Sequence, residues 1–566
     1  MNTLPLQDVL PRPPLPQPMS GEPAKPVAGP LSGIARSLLP RAQVGAFCLA
    51  LGGLIACRAA SPAPAGGSPF EAARANADAA RPVLAHVRQW LDDEIRAADP
   101  ATGLLQHSAG NRVWNTRDTA ADVYPFFAWA AYLLEPAVFD GHCRRILEYE
   151  RTQTCPQGRL PWDYDPVQRR QPPLDWNRLI FGASEYVKDG LVPIVELVGR
   201  GPWADRIREI EEDCFAFGRW ETPAGRLPLD NLEISGDHLQ SLPRLFTMTG
   251  DRRYLEWAER IAEHYFFRTK FRPVSLRDHN CEIISGFALL WAIEKQIGSP
   301  QAARYDAPLR EMLDYIVDHG LTPDGQMHAK AHPEHTGPLP SASTADLSHN
   351  WGYNFVAFLC YADLAGRPEY AAHADRALRA LADPQYHAAP WARGGYDRGL
   401  ADSVEGAIYL LASRAVPEAS RWVDTEMAVL DAKPWPLDKF GANIVRTALL
   451  QARAKSRGTW IRPWRRDVSW GAVEADGELC VSVRTGAAWQ GRLTFDPPRY
   501  QTVLGFARDY PRINYLPAYF VARPGARYRV TIDKRETVVD GARLGEGLPL
   551  ELAAGDEAQV RVRALD

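Results

Sequence analysis

The stretch Asp346-Leu-Ser-His-Asn-Trp-Gly-Tyr353 sets an acid, an imidazole, an amide, an indole and a phenol within eight positions, then continues through Asn354 and Phe355 into the apolar run Val356–Tyr361. Acid and imidazole side by side can move protons, an amide can bind polar groups, and aromatic rings can stack on a flat ligand face. Such a knot at the mouth of a buried helix is costly, because each polar group loses water and needs a partner. The competing explanation is a helix cap, in which Ser348 or Asn350 satisfies the first free N–H groups and Trp351 packs beneath. Similar clusters recur: Asn115, Arg117, Asp118 and Asp122; Trp176, Asn177 and Glu185; Asp237 and His238; Asp278, His279, Asn280 and Glu282; Asp397, Asp402 and Glu405. The segment Leu160-Pro-Trp162-Asp163-Tyr-Asp165 adds an acid-and-aromatic rim. Capping explains single Asp residues at N-termini. It does not call for His directly after Asp twice, nor for Arg117, Trp351 and Tyr353.

The elements that must position these clusters come in two kinds. Amphipathic helices are expected over Glu71–Ile95, Phe139–Tyr149, Trp203–Phe217, Arg252–Phe267, Ala302–Val317, Pro368–Leu381 and Pro417–Leu430. Helices apolar nearly all round are expected over Asp122–Leu134, Tyr186–Val198, His238–Thr249, Glu282–Ile297, Gly352–Leu364, Asp402–Ala415 and Phe440–Arg453. A helix with one charged face lies against solvent, and one without is buried on all sides. Paired in sequence they make helical hairpins, which predicts a solenoid or a closed ring. In a closed ring the inner helices run the same way, so their N-termini meet on one face. Every inner helix except the last then brings polar residues to that face, and the resulting cleft reads richer in acids than in Arg.

After Gly458 the pattern changes to period two. Leu479–Val483, Gly491–Phe495, Tyr528–Ile532 and Gln559–Arg563 alternate between Gly, Pro and Asp turns, which predicts a small antiparallel β sandwich packed on the ring's side. Within it, Arg499-Tyr500 and Asp509-Tyr-Pro-Arg-Ile-Asn-Tyr515 form an irregular aromatic loop, read as a structural support with sugar contact as the alternative.

The segment Thr249-Gly-Asp-Arg-Arg-Tyr-Leu-Glu-Trp-Ala-Glu-Arg-Ile261 resembles the T-G-D-x-x-Y-L-x-x-A turns of (α/α) toroid enzymes that act on carbohydrates. The arrangement over residues 70–566 resembles unsaturated glucuronyl hydrolases and toroid-plus-β-sheet polysaccharide lyases, without matching a complete family motif. This implies a mainly α fold, an (α/α)6 or (α/α)7 toroid over residues 70–457 with a C-terminal antiparallel β sandwich over 458–566, and an oligo- or polysaccharide substrate. Two chemistries fit the residues. Glycoside hydrolysis needs one protonated and one ionised carboxylate flanking the bond, with Asp237, Asp278, Glu282, Asp402 and Glu405 as candidates. A lyase or uronate epimerase needs an Asn or His to neutralise a uronate and a Tyr or His to take its proton, which Asp278-His279-Asn280 and His349-Asn350-Trp-Gly-Tyr353 could supply; His238 is a further catalytic candidate. Lyase relatives carry larger β portions, so hydrolysis is the leading expectation. A non-catalytic glycan-binding lipoprotein is the third. Substrate contacts are expected from Asp118, Asp122, Trp162, Asp163, Trp176, Asn280, Asn350 and Trp351.

A net charge of −4 and an isoelectric point near 6.4 give no basic footprint, so nucleic acid is not an expected partner. The six cysteines beyond residue 57 show no CxxC pair and no metal-ligand spacing, so neither metal nor cofactor is expected. There is no Gly-rich phosphate loop, G-x-S-x-G elbow or HExxH, which argues against phosphoryl transfer, esterase triads and zincins. Residues 1–57 read as a signal peptide: Arg36 and Arg41 precede the apolar run Val44–Ala56, which is short for a membrane span. Leu54-Ile-Ala-Cys57 resembles a bacterial lipobox. With Arg58 following, that resemblance implies export and lipid anchoring at Cys57, in the outer membrane. Residues 58–69, rich in Ala, Pro, Ser and Gly, form a flexible tether.

Overall fold

Charge placement sorts the helices into two shells. The computed structural model describes residues 67–335, 339, 346–387, 391 and 397–565, with the backbone alone for His279, Asp397 and Arg398. The leader, Cys57 and nearly all of the tether lie outside the described residues. The outer helix Pro69–Ala97 starts at a capping box in which Ser68 and Glu71 satisfy each other's backbone N–H groups. The inner helices Cys281–Gln296 and Trp351–Ala365 are buried over almost their whole length.

Among the described residues there are seven inner helical units. They are Tyr124–Leu134, entered through the π-helical turn Thr116–Val123; Trp176–Glu185, continued by Tyr186–Leu191 and Val192–Val198; Leu232–Thr249; Cys281–Gln296; Trp351–Ala365; Asp397–Leu411; and Lys439–Lys455. Each packs on the next, and the seventh returns to pack on the first. Seven outer helices back them: Pro69–Ala97, Arg144–Gln153, Pro202–Ala216, Arg252–Ala262, Pro300–Gly320, Pro368–Ala380 and Pro417–Asp431. The fold is an (α/α)7 toroid. The turn at Gly250 is left-handed and Asp251 caps the outer helix that follows.

Close packing sets where site residues fall. A Cβ on Gly352 would lie 2.4 Å from Cα of Gly406, so the fifth and sixth inner helices touch backbone to backbone, which only Gly permits. That contact brings Tyr353 against Glu405.

Beyond the ring, eight strands form two antiparallel sheets. These are β3 (Thr459–Arg462), β4 (Val468–Ala475), β5 (Glu478–Thr485), β6 (Trp489–Phe495), β7 (Arg527–Ile532), β8 (Arg535–Asp540), β9 (Leu548–Leu552) and β10 (Glu557–Ala564); β1 (Trp220–Thr222) and β2 (Gly225–Leu227) are a small hairpin in the ring. The sheet orders are β4-β5-β10-β7-β8 and β3-β6-β9, and their apolar faces share one core with the ring. The outer helix Pro69–Ala97 lies on β4, where Asn76 donates to the Ala472 carbonyl at 2.9 Å. Ring and sandwich belong to one compact unit.

The aromatic loop between β6 and β7 does more than cover the sandwich. It enters the ring from the C-terminal half of the inner helices. Arg512 meets both oxygens of Glu196 at 2.9 and 2.6 Å. Arg244 shares Glu196 at 3.1 Å and also donates to the Ile513 carbonyl at 2.9 Å. The fork geometry of two guanidiniums on one buried carboxylate fixes the loop's direction.

Candidate active site

A cavity of about 260 Å³ opens among the inner helices. The first inner unit contributes Asp122; the second, Lys188 and Asp189; the fourth and the 3₁₀ turn before it, Glu282 and Asp278. His349, Asn350 and Tyr353 come from the fifth, Gly399 and Asp402 from the sixth, and Lys439, Phe440, Asn443 and Arg446 from the seventh.

Two of these carboxyl groups are driven apart in acidity. Burial pushes Asp122 up to about 7; the Lys439 ammonium opposes that, while the negative charges of Asp189 and Asp118 add to it. Burial would also raise Asp189, but Lys188 at 2.8 Å and the Asn514 amide at 2.6 Å, with Glu185, hold it below the ordinary carboxylate value. At mildly acidic pH Asp122 and Asp189 are therefore a carboxylic acid beside a carboxylate, a pair suited to donate and accept protons at neighbouring atoms.

The cations are shared out among acids. Lys188 also contacts Glu282 at 2.5 Å, Lys439 contacts Asp118 at 2.6 Å, and Arg446 reaches Asp402 and Glu405, each at 2.5 Å. Glu405 sits beneath the cavity, fully buried, receiving the Tyr353 hydroxyl and, at 2.5 Å, that of Tyr409. Burial pushes Glu405 up to about 7 against the pull of Arg446. His349 Nε2 lies 3.5 Å from Asp278. Asp278 itself has a left-handed backbone (φ 50°), held by its N–H donating to Asn350 Oδ1 at 2.8 Å. A non-glycine residue there stores strain, a feature that clusters at functional sites.

Of the residues nominated from sequence for catalysis, Asp278, Glu282, His349, Tyr353 and Asp402 line this cavity, with Glu405 directly below. Asp122 and Asn350, nominated for substrate contact, line it too. Asp237 lies behind the wall, accepting from Ser184 at 3.0 Å, and burial followed by Glu185 pushes it well up. His238 faces the outer shell, 2.7 Å from Glu211 and edge-on to Phe215. Both sit in the second turn because Asn231, not a later residue, caps that helix. The side chain of His279 lies outside the described residues, and Asn280 ends the 3₁₀ turn before the fourth inner helix.

Several aromatic nominees are packed elsewhere. Trp351 is fully buried against Phe355 and Trp391. Trp162 is buried with its indole on the Pro172 carbonyl, and Trp176 lies under the Arg219 guanidinium at 3.6 Å. Asp163 accepts from the Thr116 N–H at 2.9 Å and from Asn115 and Arg178 at 3.1 Å each. It pins the entry to the first inner helix and does not line the cavity.

One expectation needs correction. The last inner helix contributes more cavity residues than any other, because its N-cap is Asp438, and Lys439, Phe440, Asn443 and Arg446 therefore fall on its first two turns. The cavity lining holds five acids and one Arg, with Lys188 and Lys439 beside them. The sequence reading missed these three cations, Asp189, and Asn514 from the β region. The signal available was Lys188-Asp189, a charged pair in an inner helical unit whose segment Tyr186–Val198 has Glu196 as its one other charge. Among the described residues no group of three or more His, Cys, Asp or Glu is arranged to hold a metal ion.

No family model and no curated protein matches the sequence. Similar solved structures include a GH127 β-L-arabinofuranosidase from Geobacillus stearothermophilus T6, 14% identical with a TM-score of 0.38, the match covering 87% of this chain and 80% of that one. The GH76A α-1,6-mannanase from Salegentibacter sp. HEL1_6 is 12% identical with a TM-score of 0.35, over 67% and 99% of the two chains. A cellobiose 2-epimerase from Spirochaeta thermophila DSM 6192 is 18% identical with a TM-score of 0.38, over 65% and 99%. All three are carbohydrate-active enzymes, the class the sequence resembles.

Proposed function

We propose that this chain is a glycan-processing enzyme, a glycoside hydrolase in which Asp122 is the general acid and Asp189 the ionised partner. The observation that carries this reading is the split of two carboxyl groups in one cavity, one pushed up to about 7 and the other held down. Glycoside hydrolysis needs that division of labour. Asp122 gives its proton to the glycosidic oxygen as the bond to the anomeric carbon breaks. Asp189 either attacks that carbon or takes a proton from the water that does. In the first case a second step follows, in which Asp122, now a carboxylate, takes a proton from the incoming water as that water's oxygen bonds to the anomeric carbon and the bond to Asp189 breaks, which returns both groups to their starting state. In the second, Asp189 ends protonated and bulk water resets both groups. Asn443 and Asn350 on the cavity wall are suited to sugar hydroxyls, because a neutral amide offers both donors and an acceptor.

A lyase or uronate epimerase is the second reading, favoured by His349 beside Asp278 on the same wall. Its other nominated base, Tyr353, counts against it: burial pushes the phenol well up and its proton is committed to Glu405. A polysaccharide screen read for both reducing ends and unsaturated-product absorbance tests the choice. Reducing ends without absorbance support the hydrolase. Absorbance, lost in His349→Ala and kept in Asp122→Asn, would replace it with the lyase. For location, Cys57 after Leu54-Ile-Ala56 supports a lipid anchor holding the enzyme at the bacterial envelope.

A further inference from the structure

The loop between β6 and β7 supplies a side chain to the candidate active site from 325 positions away in sequence. Asn514 is buried and donates its amide to Asp189 Oδ1 at 2.6 Å and to the Lys188 carbonyl at 3.1 Å. Its backbone is left-handed (φ 54°), a conformation Asn tolerates and most residues resist. Two residues earlier, Arg512 is clamped on Glu196, and Arg244 holds the intervening Ile513 carbonyl. Two residues earlier still, Tyr510 gives its carbonyl to Arg512 at 2.7 Å. After Asn514, Tyr515 donates to the Tyr409 carbonyl at 3.2 Å. The loop is thus fastened on both sides of one amide, and that amide is aimed at one carboxylate.

We propose that Asn514 is a positioning residue: the β sandwich completes the active site by orienting the Asp189 carboxylate from below. This rests on the hydrolase reading for what Asp189 does, though not for the contact itself. Asn514 holds Oδ1, and Lys188 spans both oxygens at 2.8 and 3.0 Å, so the amide fixes the rotation of the carboxylate; an orienting hydrogen bond of this kind acts through its partner without touching substrate. The ionisable groups around Asp189 are Lys188 and Glu185 on its own inner unit, Asp122 on the first, Asp237 on the third and the Cys281 thiol on the fourth, with Glu282 reaching it through Lys188. Of the three named groups that favour its charge, Lys188, Glu185 and Asn514, the last comes from outside the ring.

The test is Asn514→Gly, because Gly keeps the left-handed backbone without strain and removes only the amide. A hydrogen bond to a carboxylate favours its ionised form. The acid limb of kcat/KM should therefore move up by about one pH unit, and turnover should fall about tenfold at the pH optimum. Asn514→Asp, which sets a second negative charge on Asp189, should move that limb further. A merely structural role for Asn514 would leave the limb in place, and that result overturns the proposal. A melting-temperature cycle of Asn514→Gly with Asp189→Asn gives a readout independent of activity. The loss caused by Asn514→Gly should shrink once Asp189 is already Asn. Strictly additive losses would overturn the contact. Should wild-type protein hydrolyse no glycoside, the hydrolase reading falls, and the cycle alone still decides whether Asn514 holds Asp189.

Discussion

Glu94→Gln should stabilise the fold at alkaline pH. Glu94, on the outer helix Pro69–Ala97, is fully buried at the seam where the ring closes, and neither carboxyl oxygen meets a hydrogen-bond partner among the described residues. Burial, followed by the negative charge of Asp438, pushes it from 4.5 up to about 8. A carboxyl with a raised folded value binds more protons folded than unfolded, so stability is lost as pH rises from about 4.5 towards 8. A shift of that size corresponds to about 5 kcal/mol at 1.36 kcal/mol per unit. For a unit of roughly 500 residues unfolding entropy is about 1 kcal/mol per degree, so the gap is about 5 °C. Gln has the same shape and cannot ionise. Melting curves across pH should show the variant about 5 °C above wild type at pH 8 and level with it near pH 4.5. A gap that does not change with pH, or a variant less stable at pH 8, would refute the reasoning. The position matters for the site because Asp438 caps the helix that presents Lys439, Asn443 and Arg446.

Arg446→Met should cost about 3–5 kcal/mol at pH 8, because it leaves Asp402 and Glu405 without the cation they share. The loss should ease near pH 5, where Glu405, already pushed up to about 7, is protonated; thermal melts at the two pH values check this. Cys57→Ala should release the protein from membranes in a fractionation assay, and wild-type protein already soluble in the periplasm would remove the lipid-anchor proposal.

Much of the ring was legible because burial leaves a mark on each element. The apolar runs Glu282–Ile297 and Gly352–Leu364 have no charged face, and the structure buries both over almost their whole length. The period-two segments after Gly458 became β5, β6, β7 and β10. The candidate site was legible only where polar residues open a helix, as at Asp278, Glu282, His349 and Tyr353. Asp237-His238 looked like another opening because the polar cap Asn231 lies further upstream than the apolar pattern suggests. Lys439 and Arg446 were hidden for a different reason. Lys439 precedes the expected inner helix Phe440–Arg453 and Arg446 falls inside its apolar pattern, and ring closure against the first inner helix brings both to the cavity. Tryptophans at 162, 176 and 351 were read as stacking platforms, but an indole serves core packing equally well, and residue type does not separate the two. Asn514 could not be paired with Asp189 at all, since their separation of 325 positions leaves no local trace.

The central claim is that Asp122 and Asp189 divide acid and base between them. The most direct measurement is the pH dependence of kcat/KM on a glycoside found by the screen, for wild type, Asp122→Asn and Asp189→Asn, each confirmed folded by its melting curve. Since kcat/KM reports the groups of the free enzyme, wild type should be active from the ordinary carboxylate range or below, where Asp189 is already ionised, up to about pH 7, where Asp122 loses its proton. Each variant should lose about 10²- to 10⁴-fold in turnover, and in Asp122→Asn the alkaline limb near pH 7 should vanish from what remains. Folded variants that hydrolyse at the wild-type rate, or a wild-type profile with no alkaline limb near pH 7, would contradict the account.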